Sequence, residues 1–254
     1  MNGEFANRTV LITGSAGGIG HALARRFHEQ GANLALVDLD EGALRKQAAE
    51  LGERVVYSRC DTSIEKDVER SMSVALSQFA SIDIAVLNAG TEGRIASLDE
   101  LSLDDFQAVM DVNVGGVFMW LSRLMKIMKQ QQHGVITITS SIGGLRGTRR
   151  AAAYVASKHA VIGLMKCAAL EGASHNVRVN SVNPGSIDTR MMRSIEAGLG
   201  EADSVRRANE QSIPSQRYGT PDEVASMVTY LSSKDAAYCT GSVFVVDGGA
   251  MAGK

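Results

Sequence analysis

The chain has 254 residues, 44% hydrophobic and 21% charged, and its 26 Lys and Arg nearly balance its 28 Asp and Glu. That composition excludes disorder as the main state, and a chain of this length can bury roughly three quarters of its unfolded surface around one core. A formal net charge of -2 gives no general attraction for phosphate backbones, so no nucleic-acid partner is expected. Cys60, Cys167 and Cys239 lie far apart without CxxC spacing, and an odd set cannot pair completely within the chain. Reduced thiols and a cytoplasmic location are the expectation. Met1 to Arg8 carries no apolar stretch, and no apolar run reaches the ~18 residues of a membrane span, so neither a secretory signal nor a transmembrane helix is expected.

Short β-branched runs alternate along the chain with longer amphipathic stretches, the pattern of strands and helices built around a parallel sheet. Strands are predicted at 9–13, 33–37, 55–58, 82–87, 134–139, 178–182 and 242–246, and most are apolar on both faces, as strands covered on both sides are. Helices are predicted at 18–30, 41–51, 64–79, 103–131, 152–174 and 221–232. Gly31 is a C-terminal stop for the first, and Thr220-Pro221-Asp222-Glu223 reads as a capped start for the last. With no internal repeat, no low-complexity tract and only three prolines, the chain predicts one α/β domain over 1–254, a doubly wound Rossmann-type sheet of seven strands. The stretch 189–219 follows a strand, carries many charges and shows no strong periodicity, so it is expected to be a substrate lid.

The first strand runs into Thr13-Gly14-Ser15-Ala16-Gly17-Gly18-Ile19-Gly20, which opens the first helix. Glycines there let the backbone turn tightly and approach a pyrophosphate, which the free N–H groups of a helix N-terminus attract. The spacing is TGxxxGxG, and by itself a tight turn explains it as well. Asp38, at the end of the second strand, is placed to accept hydrogen bonds from a ribose, and turn, helix and acid together read as a dinucleotide site. A cofactor 2′-phosphate would meet that carboxylate at close range, a repulsion of about 4 kcal/mol at 4 Å and an effective dielectric near 20. Neither Ser15-Ala16-Gly17 nor Leu39-Asp40 supplies a compensating base, so NAD(H) is expected over NADP(H).

Taken with the residues that follow, the chain resembles the short-chain dehydrogenase/reductase family over nearly its whole length. The matching motifs come in family order: Thr13 to Gly20, Asp61, Asn88-Ala89-Gly90, Asn113, Ser141, Tyr154-xxx-Lys158 and Pro184-Gly185-Ser186-Ile187-Asp188-Thr189. The resemblance implies that Gly14, Gly18, Ile19 and Gly20 cradle the cofactor and that Asp61 contacts its adenine. It also implies that Asn88, Ala89, Gly90, Pro184, Gly185, Ile187 and Thr189 shape the pocket, with Thr189 at the nicotinamide carboxamide.

Tyr154 and Lys158 share one face of a helix. A free Tyr titrates near 10, and a neighbouring ammonium is expected to lower that, making Tyr154 a general acid/base. The resemblance implies that Lys158 also grips the nicotinamide ribose, that Ser141 bonds the reacting oxygen, and that Asn113 locks a water leading from Lys158 to solvent. Spacing to Tyr154 favours Ser141 over its neighbour Ser140. Asn113 lies in Asp111-Val112-Asn113-Val114-Gly115-Gly116, a weak stretch for a helix. The five histidines show no metal-ligand spacing, so no metal is expected.

These readings imply an NAD-dependent oxidoreductase that interconverts a secondary alcohol and a ketone by hydride transfer. A 3-oxoacyl-acyl-carrier reductase and a non-catalytic nucleotide sensor or scaffold on the same fold are the alternatives. Family members are commonly homotetramers, which is the expectation here. Specificity is expected in 91–96, 142–153 and the lid, and Arg146 and Arg149 would clamp a substrate anion if it carries one.

Overall fold

The β-branched runs pair into a single parallel sheet in the computed structural model, which describes residues 3–253. The ends of the expected 1–254 domain, residues 1–2 and 254, lie outside the described residues. The strands are β1 (Thr9–Thr13), β2 (Asn33–Asp38), β3 (Val55–Arg59), β4 (Ile84–Leu87), β5 (Gly134–Thr139), β6 (Val177–Pro184) and β7 (Val243–Val246). Their order across the sheet is β3-β2-β1-β4-β5-β6-β7. The chain winds one way from β1 and the other way from β4, which opens a crevice above the carboxyl ends of those two strands.

Nine α-helices stand among the described residues: α1 (Gly18–Glu29), α2 (Glu41–Leu51), α3 (Glu65–Phe79), α4 (Leu103–Met110), α5 (Val117–Gln131), α6 (Ala152–Gly172), α7 (Arg190–Leu199), α8 (Ala202–Ser212) and α9 (Pro221–Ser232). Alternation along each strand decides which helix it meets. Val10 and Ile12 of β1 and Leu34 and Leu36 of β2 pack with Leu23 and Phe27 of α1, Leu44 of α2 and Val228 of α9. Leu11, Ala35 and Val37 point the other way, into Met72 of α3, Trp120 and Leu124 of α5 and Met165 of α6. Each large side chain removed from water in these two layers contributes about 1.5–3 kcal/mol, which makes the sheet the rigid floor of whatever sits at its edge.

Several boundaries differ from the sequence expectation. The segment 103–131 is interrupted by a π-helical turn, Asp111–Gly116. A side chain at Gly116 would come within 2.8 Å of Thr62 Cγ2, so α5 can cross the β3–α3 loop this closely only with glycine there. Strand β4 begins at Ile84 instead of Ile82, because the Ile82 N–H and C=O are taken by the Gln131 side chain. The main correction is 189–219, which is largely helical. Thr189 caps α7 by accepting from the Met192 N–H (3.3 Å), and Glu201 caps α8 by accepting from Asp203 and Ser204. The two ends of this excursion are clasped: Asp188 N–H donates to the Gly219 carbonyl (2.9 Å) and Gly219 N–H to that of Ser186 (3.0 Å).

Candidate active site

The glycine turn is built by close backbone approach. Gly14 has φ of 63°, in the left-handed region that only glycine enters freely, and a side chain there would meet the Ala89 Cα at 2.8 Å. A side chain on Gly20 would collide with the Gly14 carbonyl oxygen. Helix α1 starts at Gly18, and Gly17 before it supplies no side-chain cap, so its first N–H groups have no side-chain acceptor. The Asp38 carboxylate folds against this turn and accepts from the Ala16 N–H (3.0 Å) and the Asp40 N–H (3.1 Å).

The ends of β1 and β4 are tied by Thr13, whose hydroxyl accepts from the N–H groups of Asn88 (3.0 Å) and Ala89 (3.1 Å). Asn88 returns the contact through its amide, donating to the Gly14 carbonyl (3.1 Å). One residue on, a side chain at Gly90 would stand 3.1 Å from Asn113 Oδ1 and 3.4 Å from Lys158 Nζ. The line from glycine turn to Lys158 therefore runs through Ala89 and Gly90 without a gap for a larger residue.

Beyond β5, Ser141 caps a short 3₁₀ turn, its hydroxyl accepting from the Gly143 N–H (3.0 Å). A side chain on Gly143 would lie 3.4 Å from both Ser141 Oγ and Tyr154 Cε1, so the hydroxyl and the phenol ring flank that glycine. Ser140 is committed elsewhere: its buried hydroxyl donates to the Lys158 carbonyl at 2.9 Å. The first turns of α6 place Tyr154 and Lys158 on one face, with Lys158 Nζ 5.5 Å from the ring centroid. Only 5% exposed, Lys158 donates to the Thr139 carbonyl (2.9 Å), and an ammonium has two further protons to give. Asn113, in the π-helical turn and 1% exposed, accepts from the Thr91 N–H (2.8 Å) and donates to the Thr91 carbonyl (2.9 Å) and to Ser157 Oγ (3.0 Å). Ser157 in turn donates to the Tyr154 carbonyl (2.7 Å).

The electrostatics correct one expectation. Burial holds the Tyr154 phenol above its ordinary value; Ser141 offsets part of this and the charge of Glu92 adds to it. Lys158 exerts no downward pull here. Desolvation lowers its own pKa to about 8, so it remains an ammonium at neutral pH and gives up its charge as the pH rises past 8.

A family model described as Enoyl-(Acyl carrier protein) reductase matches residues 14–251. Levodione reductase of Leifsonia aquatica is 36% identical, with 97% of this chain and 95% of that protein aligned. Cyclohexanol dehydrogenase of Acinetobacter sp. (strain SE19) is 37% identical, over 98% of this chain and 96% of its relative. The crystal structure of NAD+-bound xylitol dehydrogenase superposes with a TM-score of 0.93 at 32% identity, covering 97% of this chain and all of that one. The chain belongs to the short-chain dehydrogenase/reductase family. It is an oxidoreductase of that family, on the family's single Rossmann-type domain.

A nicotinamide dinucleotide suits the residues present, since the turn is too tight for side chains at Gly14 and Gly20 and no side chain caps the N-terminus of α1 beside it. Gly18 packs on the lower end of α7, where its side chain would meet Thr189 Cγ2 at 3.1 Å. Ile187 is buried in the core below, and Gly185 faces the backbone of Asp247. Pro184 ends β6 and its carbonyl lies 3.5 Å from Ser141 Oγ. The Asp61 carboxylate turns back onto Ser63, accepting from its hydroxyl at 2.6 Å. Arg146 is half-buried and Arg149 exposed, and neither guanidinium forms an ion pair among the described residues. Across the sheet Arg59 on β3 is the register partner of Asp38, a pairing with no local signal, but the Arg59 charge acts on Asp67 and the Asp38 carboxylate stays on the glycine turn. Sequence reading also missed Asn183, buried beside the site, whose amide donates to the Ser141 carbonyl at 2.8 Å and fixes the backbone beneath that hydroxyl.

Proposed function

We propose that this oxidoreductase interconverts a secondary alcohol and a ketone with NAD(H), using Tyr154 as general acid/base and Ser141, Lys158 and Asn113 around it. The observation that carries the reading is the Ser141 hydroxyl and Tyr154 phenol facing each other across Gly143, with the Lys158 ammonium buried behind them. When bound, the nicotinamide supplies the hydride acceptor or donor. The chain's own part is the proton. Tyr154 takes the hydroxyl proton of the alcohol as its C–H bond breaks and returns it when a ketone is reduced. Ser141 donates to the oxygen on which negative charge develops, and Lys158, with two free donors, holds the cofactor ribose. Asn113 fixes Thr91 and Ser157, and so holds the β4 loop and the start of α6 in one geometry.

NAD(H) is favoured over NADP(H) by the Asp38 carboxylate, which is folded against the glycine turn where a 2′-phosphate would sit. Asp61 belongs to the adenine end of this reading, and Ile187 and Thr189 to the nicotinamide end. Segment 189–219 is the substrate lid, supported by its position past β6 and by its contact with 91–96 through Gly198 and Ile95. A homotetramer is supported by exposed apolar side chains on the long helices and the edge strand: Phe118 on α5, Leu170 on α6 and Val245 on β7. The free cysteines suit a reducing, cytoplasmic setting.

Absorbance assays with a panel of secondary alcohols and ketones test this reading. The expected result is a kcat/KM with NAD+ at least about a hundredfold above that with NADP+. Tyr154→Phe is expected to lower kcat by about a thousandfold at unchanged cofactor affinity. Turnover with NADP(H) alone would overturn the assignment of Asp38, and full activity in Tyr154→Phe that of the acid/base.

A further inference from the structure

One carboxylate in the cleft has no task in the chemistry above. Glu92 follows Thr91, both of whose backbone groups are held by Asn113. It precedes Gly93, whose φ of 68° and close approach to Val109 exclude a side chain. Its segment then meets both other walls of the cleft. The Ala96 N–H donates to the Arg150 carbonyl (3.0 Å), and a side chain on Gly198 of α7 would stand 2.8 Å from Ile95 Cβ. Glu92 is thus fixed on both sides, half-buried, and close enough for its charge to act on Tyr154.

No cation among the described residues is paired with it. Arg94 pairs with Asp105 at 3.1 Å, Arg150 acts on Glu100, and Lys158 donates to the Thr139 carbonyl. Among the described residues, Glu92 has no hydrogen-bond or ion-pair partner. A carboxylate beside the cleft with no protein donor keeps its lone pairs free for a donor brought by the molecule that fills the cleft.

We propose that Glu92 is a specificity-determining residue, its carboxylate accepting a hydrogen bond from a second hydroxyl of the substrate while Tyr154 acts on the first. The preferred substrates are then diols and the matching hydroxyketones, and carboxylate-bearing alcohols are disfavoured by repulsion from Glu92. This rests on the alcohol–ketone reading and narrows it: oxidation of one hydroxyl leaves a hydroxyketone, the other hydroxyl serving only as a handle. It runs against a substrate anion clamped by Arg146 and Arg149.

The test compares wild type, Glu92→Gln and Glu92→Ala in NAD-linked oxidation of cyclohexanol, the cyclohexanediol isomers and hydroxycyclohexanecarboxylate. In the wild type the best diol is expected to exceed cyclohexanol in kcat/KM by about tenfold, mainly through KM, the value of one charge-assisted hydrogen bond. Glu92→Ala is expected to bring that ratio near one, with Glu92→Gln between, and both variants improve the carboxylate relative to cyclohexanol. The same variants shift the alkaline rise of activity slightly to lower pH, because the Glu92 charge that adds to the effect of burial on the Tyr154 phenol has gone; a purely structural loop residue would not move that limb. A diol-to-cyclohexanol ratio equal in all three proteins overturns the role of Glu92 while leaving the oxidoreductase reading intact. Absence of wild-type turnover with every alcohol overturns the alcohol–ketone reading, and the inference with it.

Discussion

At the scale of single residues, Lys158 is where function and stability pull apart. Its ammonium is buried with one acceptor, and desolvation lowers its pKa from 10.5 to about 8. A folded pKa below the unfolded one means that the unfolded chain binds more protons between those values. The cost is therefore full below pH 8 and is relieved as the pH rises toward 10.5. The linkage amounts to about 3 kcal/mol at neutral pH. Lys158→Met is accordingly expected to abolish turnover yet raise Tm by about 5 °C at pH 7, after allowing for the donor lost by Thr139. Thermal melts across pH check this: the gain should shrink as the pH approaches 10.5, and a lower Tm at pH 7 would show that the fold stabilises the ammonium. Nothing in Tyr154-xxx-Lys158 as letters foretells this. The shared helical face follows from spacing, but the depth of burial comes from Thr139, Asn113 and Gly90 closing around the lysine.

At the scale of elements, what could be read in advance divides by the range of the interaction. The glycine turn was legible because its constraint is local: Gly14 needs a left-handed backbone, and Gly20 must lie against Gly14. The weak helical stretch around Asn113 was legible as a defect, though not as a π-helical turn, and the close approach of Thr62 to Gly116 comes from another loop. Helices α7 and α8 were missed because each is short, 10 and 11 residues, and rich in charge, although both are amphipathic; that amphipathy and the caps Thr189 and Glu201 were the available signals. The register that sets Arg59 beside Asp38 was out of reach of any local pattern. One element contact can be tested directly. Gly198→Val would drive a side chain into Ile95, only 2.8 Å from the Cβ position, and lever α7 away from the 91–96 loop. Substrate KM should rise about tenfold with cofactor KM and Tm little changed, which steady-state kinetics and a melt together resolve. A fall in Tm with unaltered KM would place this contact outside the cleft's working geometry.

At the scale of the whole molecule, the sheet separates its two ends. The carboxyl ends of the strands carry the cleft, while the opposite end is fastened by Asp83. That carboxylate is 7% exposed and accepts from the Thr9 N–H (2.8 Å), Arg8 (2.9 Å) and His133 Nε2 (2.9 Å), tying β1, β4 and the entry to β5. Burial alone would raise its pKa, but these donors outweigh burial and hold it below the ordinary carboxylate value. Its stabilisation is therefore present above the unfolded value of 3.8 and disappears as the pH falls through the folded one. Asp83→Asn is expected to cost about 2 kcal/mol and lower Tm by about 5 °C at pH 7, with catalysis intact and the deficit vanishing in acid. A variant as stable as the wild type at pH 7 would show that the anchor is dispensable.

The clasp between Asp188 and Gly219 gives the region beyond β6 a further property. Because the chain leaves the sheet and returns to it at nearly the same point, everything between is an appendix whose length and content the strands do not register. The entropy of closing such a loop changes slowly with its length, so helices can be added, shortened or traded there with small effect on folding. The substrate range of this scaffold is then a transplantable block, and a donor segment needs to match the two clasped residues where it joins and the few outward contacts it makes, Thr189 on Gly18, Gly198 on Ile95 and Ser215 on Gly248.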